Sequence, residues 1–227
     1  MSVQNQQFKN YEVWVIDGNS VDNTKEFLNK LEAPFYSISE TDRGVYDAMN
    51  KGILKSKGKW LYFLGDDDIF FDEKVLQKIF SNEIDDQFKI IAGSIVYEAK
   101  ESQFIYSKSK TKKKPDWSFL MWIRNGLHHQ GAFYRKELFD KQKYNLQYPV
   151  LADYALNLTF FNKKYKCKLE KIVTTKCSGN GLSKTRNFSI YKEEILLKTD
   201  QSSKLFLPFF FIIAILKYFL GKKNANH

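Results

Sequence analysis

The sequence predicts an α/β fold, with a Rossmann-like and mainly parallel sheet flanked by helices. Short runs of β-forming residues alternate with segments of helical periodicity through the first 80 residues. Hydrophobic residues make up 43% of the 227 residues, which is enough for one sizeable core. An apolar segment follows, so we expect one main domain over residues 1–200 and a C-terminal tail over 201–227 with an amphipathic or hydrophobic helix.

In the first half of the chain, predicted strands alternate with predicted helices. Each strand is a short apolar run rich in β-formers, and the first run ends at the turn signal Asp17-Gly18. Helices follow from apolar residues at helical spacing, such as Val45, Met49 and Ile53. The predicted strands are 11–16, 35–39 and 60–64, and the predicted helices are 23–31, 44–56 and 71–80.

After residue 85 the predicted strands become more frequent. A basic loop with five lysines, residues 108–114, interrupts them. Cys167 and Cys177 lie too far apart on an extended strand to form a disulfide, so we expect reduced thiols. The predicted strands are 89–97, 103–106, 130–134 and 166–176, and the predicted helices are 117–124, 153–162 and 186–198.

The tail combines an apolar run with positive charge. Residues 205–220 are almost wholly apolar, interrupted by Pro208 and Lys217, and Lys222 and Lys223 follow. A spanning helix needs about 20 apolar residues, and this run is somewhat short. We expect an interfacial helix whose lysines meet an anionic membrane surface; a true span, or a helix packed on the domain, are the alternatives.

The formal net charge of +10 suits three partners: nucleic acid, an anionic membrane surface or a phosphate-bearing substrate. Composition alone does not choose among them. Because the chain carries no nucleic-acid-binding motif, we expect no nucleic-acid partner, and a polyanion-binding protein is the weakest of the function classes.

Three aspartates, Asp66, Asp67 and Asp68, follow the third predicted strand. Ligands of open α/β sheets bind beyond the carboxyl ends of the strands, where Asp17 is also expected. Carboxylates alone would repel a diphosphate, whereas a divalent cation such as Mg²⁺ or Mn²⁺ would bind both. The alternative is that the aspartates cap the helix that begins near Asp72, and composition favours neither interpretation.

Several longer motifs occur in order along the chain. They are Val15-Ile16-Asp17-Gly18-Asn19-Ser20-Val21-Asp22-Asn23-Thr24, Glu40-x-Asp42-x-Gly44-Val45-Tyr46-Asp47-Ala48-Met49-Asn50-Lys51-Gly52, Phe63-Leu64-Gly65-Asp66-Asp67-Asp68, His129-Gln130-x-x-Phe133-Tyr134, Ala152-Asp153-Tyr154 and Gly179-x-Gly181-Leu182-Ser183. Over about residues 2–185 the chain resembles family 2 glycosyltransferases with the GT-A fold. Within that family it is similar to bacterial transferases that build surface polysaccharides, of the colanic acid type.

The resemblance implies a metal-dependent enzyme that moves a sugar from a nucleotide-diphosphate sugar to a saccharide acceptor, with inversion. Asp153 would be the general base that accepts the proton of the acceptor hydroxyl. Asp67 and Asp68 would hold the metal, although the family commonly has an acid or Asn where this chain has Gly65. Asp17 would contact the nucleobase.

The remaining predicted site residues are expected to contact either the sugar donor or the acceptor. Tyr46, Asp47 and Asn50 lie opposite the apolar stripe of helix 44–56, where they could line a donor cleft. The alternatives are an ordinary solvated helix face, an N-cap role for Asp153 and a purely structural His129. The expected donor-side residues are Asp17, Asp42, Tyr46, Asp47, Asn50 and Asp66, and the expected acceptor-side residues are His129 and Gln130.

The resemblance does not include the start of the family's sequence pattern. The first βα unit of the fold is expected to be absent, which predicts reduced stability and weak or absent donor binding. The alternative function is therefore an inactive transferase remnant that acts as a membrane-associated binding or scaffold protein. Acceptors in this branch are usually lipid-linked, so we expect a cytoplasmic location, peripheral on the inner face of the membrane.

Overall fold

The structure is a computed structural model that describes residues 2–97, 112–178 and 188–223. The strands are β1 (Val13–Asp17), β2 (Phe35–Ser39), β3 (Trp60–Tyr62), β4 (Ile69–Phe70), β5 (Phe88–Tyr97), β6 (Lys112–Lys113), β7 (Ala132–Arg135) and β8 (Lys166–Cys177). The α-helices are α1 (Thr24–Leu28), α2 (Val45–Lys55), α3 (Val75–Phe80), α4 (Ala152–Asn162), α5 (Phe188–Asp200) and α6 (Leu207–Lys223). Short 3₁₀ helices include Phe119–Trp122 and His129–Gly131.

The described strands form two sheets. β1 and β2 pair in parallel, while the second sheet has the order β3-β7-β5-β8-β4 with β6 on β5. The α/β class is confirmed, but the pairing is more mixed than the mainly parallel sheet that the sequence predicts. Only β1–β2 and β5–β8 are parallel among the described pairs. β7 lies antiparallel beside β5, and residues 112–131, the part of their connection that the structure describes, contain no α-helix.

Helices cover both faces of the larger sheet. Alternate side chains of β5 point to opposite faces, so Ile90 belongs to one core and Ile91 to the other. The larger core also takes residues from α2, α4 and α5, and the smaller one is formed with α3. This layered packing brings the N-terminal ends of α2 and α4 to one edge of the sheet.

Some boundaries differ from those predicted. The helix expected over 71–80 begins at Val75, because Ile69 and Phe70 form β4 against Lys176 and Thr175. Within the helix expected over 117–124, the structure has only the 3₁₀ helix Phe119–Trp122. The strand expected at 103–106, most of the basic loop and the motif at 179–183 lie outside the described residues.

The tail helix α6 packs on the main domain through one face. Phe210 and Ala214 are buried, and the Phe210 ring stacks on Trp122 at 6.0 Å. Lys217 and the buried Lys198 both donate hydrogen bonds to Glu194 and to the carbonyl of Ile123. Burial lowers the pKa of Lys198 to about 8. Of the helices described, none is long and apolar enough to cross a membrane.

Candidate active site

Polar side chains gather at the edge where β3, β5 and β8 end and β7 begins. β7 is antiparallel to both β3 and β5, and β8 is parallel to β5, so these termini share one edge. β1 is anchored beside this sheet by Glu12, whose Oε1 accepts hydrogen bonds from the backbone N–H groups of Lys57 and Gly58 at the approach to β3. The edge therefore collects the predicted site residues from separate parts of the chain.

Asp17 and Asp42 form the first group. Asp17 is nearly buried at the end of β1, and its carboxylate accepts hydrogen bonds from Ser20 Oγ at 2.5 Å and Ser39 Oγ at 2.6 Å. The hydrogen bonds from Ser20 and then Ser39 lower the pKa of Asp17. A Cβ added at Gly18 would lie 2.8 Å from Asp42 Oδ2, so the Asp42 carboxylate lies against this loop.

Asp66, Asp67 and Asp68 follow β3 in a tight turn, closed by a hydrogen bond from the Asp68 N–H to the Gly65 carbonyl. Asp66 and Asp67 are exposed, whereas Asp68 is buried with 7% of its surface accessible. A Cβ at Gly65 would lie 2.8 Å from Asp68 Oδ2 and 3.2 Å from Asp67 Oδ1. The missing side chain of Gly65 therefore leaves room for the carboxylates of Asp67 and Asp68 beside it.

These aspartates do not cap the next helix. α3 starts at Val75, and β4 lies between it and the acidic turn. Asp67 instead accepts a hydrogen bond from the hydroxyl of Ser178, just beyond the end of β8. Two converging carboxylates offer hard oxygen ligands, which fit a divalent cation that completes its coordination with phosphate oxygens and water. Among the described residues no cluster of three or more metal-ligating side chains occurs.

Asp153, the second residue of α4, lies at the centre of a hydrogen-bonded cluster and is 9% exposed. Tyr46 Oη donates to Oδ1 at 3.2 Å, and the backbone N–H of Tyr154 donates to the same oxygen at 2.7 Å. Asn125 Nδ2 donates to Oδ2 at 3.2 Å, and His129 Nδ1 lies 3.3 Å from that oxygen. The side chain is therefore held in one orientation by its neighbour Tyr154 and by two distant segments, one with Tyr46 and one with Asn125 and His129.

The surroundings of Asp153 keep its carboxylate ionised. Burial acts to raise the pKa of Asp153, but the hydrogen bond and charge of His129 and the charge of His128 act against it. The net result is a pKa below the ordinary value. A buried carboxylate that is charged and oriented in this way can accept a proton from a hydroxyl group placed beside it.

Asp153 is not the N-cap of α4. The N-cap is Leu151, and its backbone N–H and that of Val150 donate to Glu193 Oε1 at 2.6 and 3.0 Å. Glu193, from α5, thus accepts the two backbone N–H groups that directly precede the helix. Asp153 Oδ1 in turn accepts the backbone N–H of Tyr154 in the first turn, one of the donors that a helix terminus otherwise leaves unpaired.

Tyr97, at the end of β5, is a residue that sequence reasoning missed. Burial is the largest cause of the raised pKa of its hydroxyl, followed by the charges of Cys177, Asp68 and Asp153. Tyr97 therefore lies within electrostatic reach of both the acidic turn and the Asp153 cluster. Only the strand pairing brings these parts together, although its position at a strand's carboxyl end was a usable signal.

The placement of the α2 residues corrects the expected open face. Tyr46 is buried at 6% exposure and donates to the Val150 carbonyl at 2.9 Å as well as to Asp153. The side-chain amide of Asn50 donates from Nδ2 to the Tyr144 carbonyl and accepts at Oδ1 from the Tyr144 N–H. These side chains point inward because the segment 144–150 crosses over α2, a long-range contact that helical periodicity does not reveal.

The other predicted residues lie nearby. Asp47 Oδ2 accepts a hydrogen bond from the Arg43 N–H at 3.0 Å, at the start of α2. Gln130 follows His129 in a 3₁₀ helix, and its carbonyl accepts hydrogen bonds from the hydroxyls of Tyr62 and Thr175. Those bonds fix the backbone that carries His129 toward Asp153.

Residues 1–142 match the family model described as glycosyl transferase family 2. A curated relative from Mycobacterium bovis, a PGL/p-HBAD biosynthesis glycosyltransferase, is 29% identical over 218 residues, covering 90% of this chain and 78% of the relative. An uncharacterised glycosyltransferase from Rickettsia bellii is 38% identical over 85 residues, covering 36% of this chain and 12% of its own length.

Two solved structures share the fold. The mannosyltransferase PcManGT from Pyrobaculum calidifontis, in complex with GDP-Man and Mn²⁺, has a TM-score of 0.63 at 13% identity, covering 99% of this chain and 69% of that chain. TarS from S. aureus, in complex with UDP, has a TM-score of 0.60 at 12% identity over 86% of this chain. The chain spans 59% of the length of that TarS chain.

Proposed function

The chain belongs to glycosyl transferase family 2, and on this premise we propose that it transfers a sugar from a nucleotide-diphosphate sugar to a saccharide acceptor with inversion. The observation that carries this proposal is Asp153. Its carboxylate is oriented by Tyr46, Asn125 and His129, and its pKa is lowered against the effect of burial.

In the proposed reaction, Asp153 accepts the proton of the acceptor hydroxyl while that oxygen attacks the anomeric carbon of the donor sugar. The bond to the nucleotide diphosphate breaks in the same displacement, so the configuration at the anomeric carbon inverts. His129 and Asn125 hold the carboxylate in its ionised and oriented state before the proton arrives. Tyr46 and the Tyr154 N–H hold Oδ1, and Asn125 and His129 hold Oδ2, so the acceptor hydroxyl would approach a remaining lone pair of this fixed carboxylate.

The donor would lie across the two acidic groups. Asp67 and Asp68 would hold a divalent cation, Mg²⁺ or Mn²⁺, which when bound neutralises negative charge on the diphosphate. Asp17 and Asp42 would receive the nucleobase and ribose side, since an ionised carboxylate accepts hydrogen bonds from N–H and O–H groups. The hydrogen bonds of Ser20 and Ser39 support an ionised Asp17.

We further propose a lipid-linked acceptor, a role in cell-surface polysaccharide synthesis and a location on the inner face of the membrane. The net charge of +10 supports attraction to an anionic leaflet. The exposed apolar residues of α6, which include Phe209, Ile212 and Leu216, support insertion at its interface.

Calorimetric titration of UDP, GDP and dTDP tests the donor site. We expect one of these nucleotides to bind with Mn²⁺ and not with EDTA, and binding to fall at least about tenfold in Asp67→Ala. Asp85→Ala is the matched control, because Asp85 is an exposed carboxylate near the start of β5 and hence at the opposite end of that strand. Binding that ignores both EDTA and Asp67→Ala would contradict the proposed metal site.

A further inference from the structure

A groove of about 620 Å³ lies between the 3₁₀ helix Phe119–Trp122, the C-terminal end of α4 and the start of β8. Its walls are mainly aromatic. The aromatic lining residues are Phe88, Trp117, Phe119, Trp122, Phe161 and Tyr165. No part of the proposed reaction uses this groove.

The groove is preformed rather than a gap between mobile side chains. The rings of Trp117 and Phe161 meet edge to face at 5.5 Å, and Trp117 Nε1 donates to the Tyr165 carbonyl at 3.0 Å. Trp122 is held by its stack on Phe210. Phe119 stands at the mouth with 75% of its surface exposed. An apolar ligand would find rigid walls and one exposed aromatic side chain to cover it.

The rim carries positive charge. Lys164 and Lys166 line the groove and are exposed, and Lys163 is the exposed neighbour. Within the described part of the chain, Lys164 has no carboxylate within ion-pair distance. An apolar cleft with lysines at its mouth is complementary to a hydrocarbon chain that carries an anionic head group.

The tail helix joins the groove wall through its buried face and carries an apolar surface on its exposed face. Leu205, Phe209, Ile212, Leu216 and Phe219 recur every four or three residues and are all exposed, so they form one apolar stripe. The buried residues of α6 lie on another face, where Phe210 reaches Trp122 at the groove wall.

The occupant would not compete with the proposed reaction. Phe161 lies at the C-terminal end of α4 and Lys164 follows just beyond it, whereas Asp153 is near the N-terminal end of the helix. The eight residues from Asp153 to Phe161 correspond to about 12 Å along the helix. The groove is therefore separate from the acidic edge.

We propose that this groove binds one acyl chain of an anionic phospholipid, with the lipid phosphate beside Lys164. The inference rests on the membrane association proposed above, but it does not depend on the transferase chemistry. Beyond a general attraction to a charged membrane surface, the groove would thus provide a binding site for an individual lipid.

Tryptophan quenching tests the site directly, because two of the four tryptophans line the groove. The chain is prepared with Trp14→Phe and Trp60→Phe, which leaves Trp117 and Trp122 as reporters. Dioctanoyl phosphatidylglycerol with brominated chains is titrated below its micelle concentration. We expect saturable quenching, with weaker binding of the matching phosphatidylcholine.

Two matched pairs of variants locate the binding. Phe119→Asp should weaken phosphatidylglycerol binding about tenfold, and Leu120→Asp, a neighbouring exposed residue outside the groove lining, should not. Lys164→Gln should reduce the preference for phosphatidylglycerol over phosphatidylcholine, and Lys163→Gln should leave it unchanged.

Vesicle sedimentation separates the two proposals. If vesicles of phosphatidylglycerol bind the chain but quenching is absent or equal in Phe119→Asp and Leu120→Asp, the groove site is wrong while membrane association stands. If vesicles are not bound and the short-chain lipid does not quench, both are wrong. Quenching by brominated dodecanol equal to that by the phospholipid would overturn the assignment of an anionic lipid.

Discussion

Replacing Asp153 by Asn tests the proposed base with the smallest change of shape. The amide oxygen can still accept from Tyr46 and from the Tyr154 N–H, but the new NH₂ group faces Asn125 Nδ2 and His129. One buried donor is then left opposed to another donor, which costs about 1–3 kcal/mol of stability. The removed proton acceptor should lower kcat by about 10²–10⁴.

The assay is transfer from the nucleotide sugar that binds in calorimetry, with kcat and the nucleotide Kd measured on the same preparation. We expect Kd to stay within about twofold, since Asp153 is not among the proposed donor ligands. Asp200→Asn is the control, because Asp200 accepts a hydrogen bond from Tyr148 at 2.6 Å on α5 and keeps an acceptor oxygen as Asn. An unchanged kcat in a folded Asp153→Asn protein would refute Asp153 as the base.

Three further predictions follow from the geometry and charges. Gly18→Ala should weaken nucleotide binding in calorimetry, because the new Cβ displaces the Asp42 carboxylate. Since no other group is displaced, the free energy of unfolding in urea should change by less than about 1 kcal/mol. Equal nucleotide Kd values for the variant and the unchanged protein would contradict this. Because the pKa values of Asp17 and Asp153 are lowered in the folded protein, both carboxylates stabilise the fold at a pH above their ordinary pKa of about 4. Urea unfolding should therefore show a loss of stability as the pH falls below about 4. The pKa of Lys198 is lowered to about 8 from 10.5, so this group should make the protein more stable as pH rises from about 8 to 10.5, and Lys198→Met should remove that slope.

Much of the fold follows from local patterns. The predicted strand 35–39 coincides with β2, and the helix expected over 153–162 differs from α4 by one residue. These elements are regular and strongly patterned, so period and burial agree. The antiparallel pairings of β7 with β5 and of β4 with β8 could not be predicted from local patterns. They depend on how distant segments meet and not on the strand sequences themselves.

Local patterns along the chain were enough to place the candidate acidic groups: Asp17 after one strand, the acidic turn Asp66–Asp68 after another, and Asp153 near the start of a helix. Strand ends and helix starts are local features, so residues there can be located from pattern alone. Their assignment to donor, metal and base remains a prediction.

The way these residues are held depends on long-range contacts. Tyr46 and Asn50 turn inward because the distant segment 144–150 covers α2. Asn125 reaches Asp153 through a hydrogen bond that no local pattern records, and Tyr97 lies within electrostatic reach of the same carboxylate. The ionisation of Asp153 is likewise a balance between burial and neighbouring charge. Both terms depend on three-dimensional distance, which the order of residues along the chain does not contain.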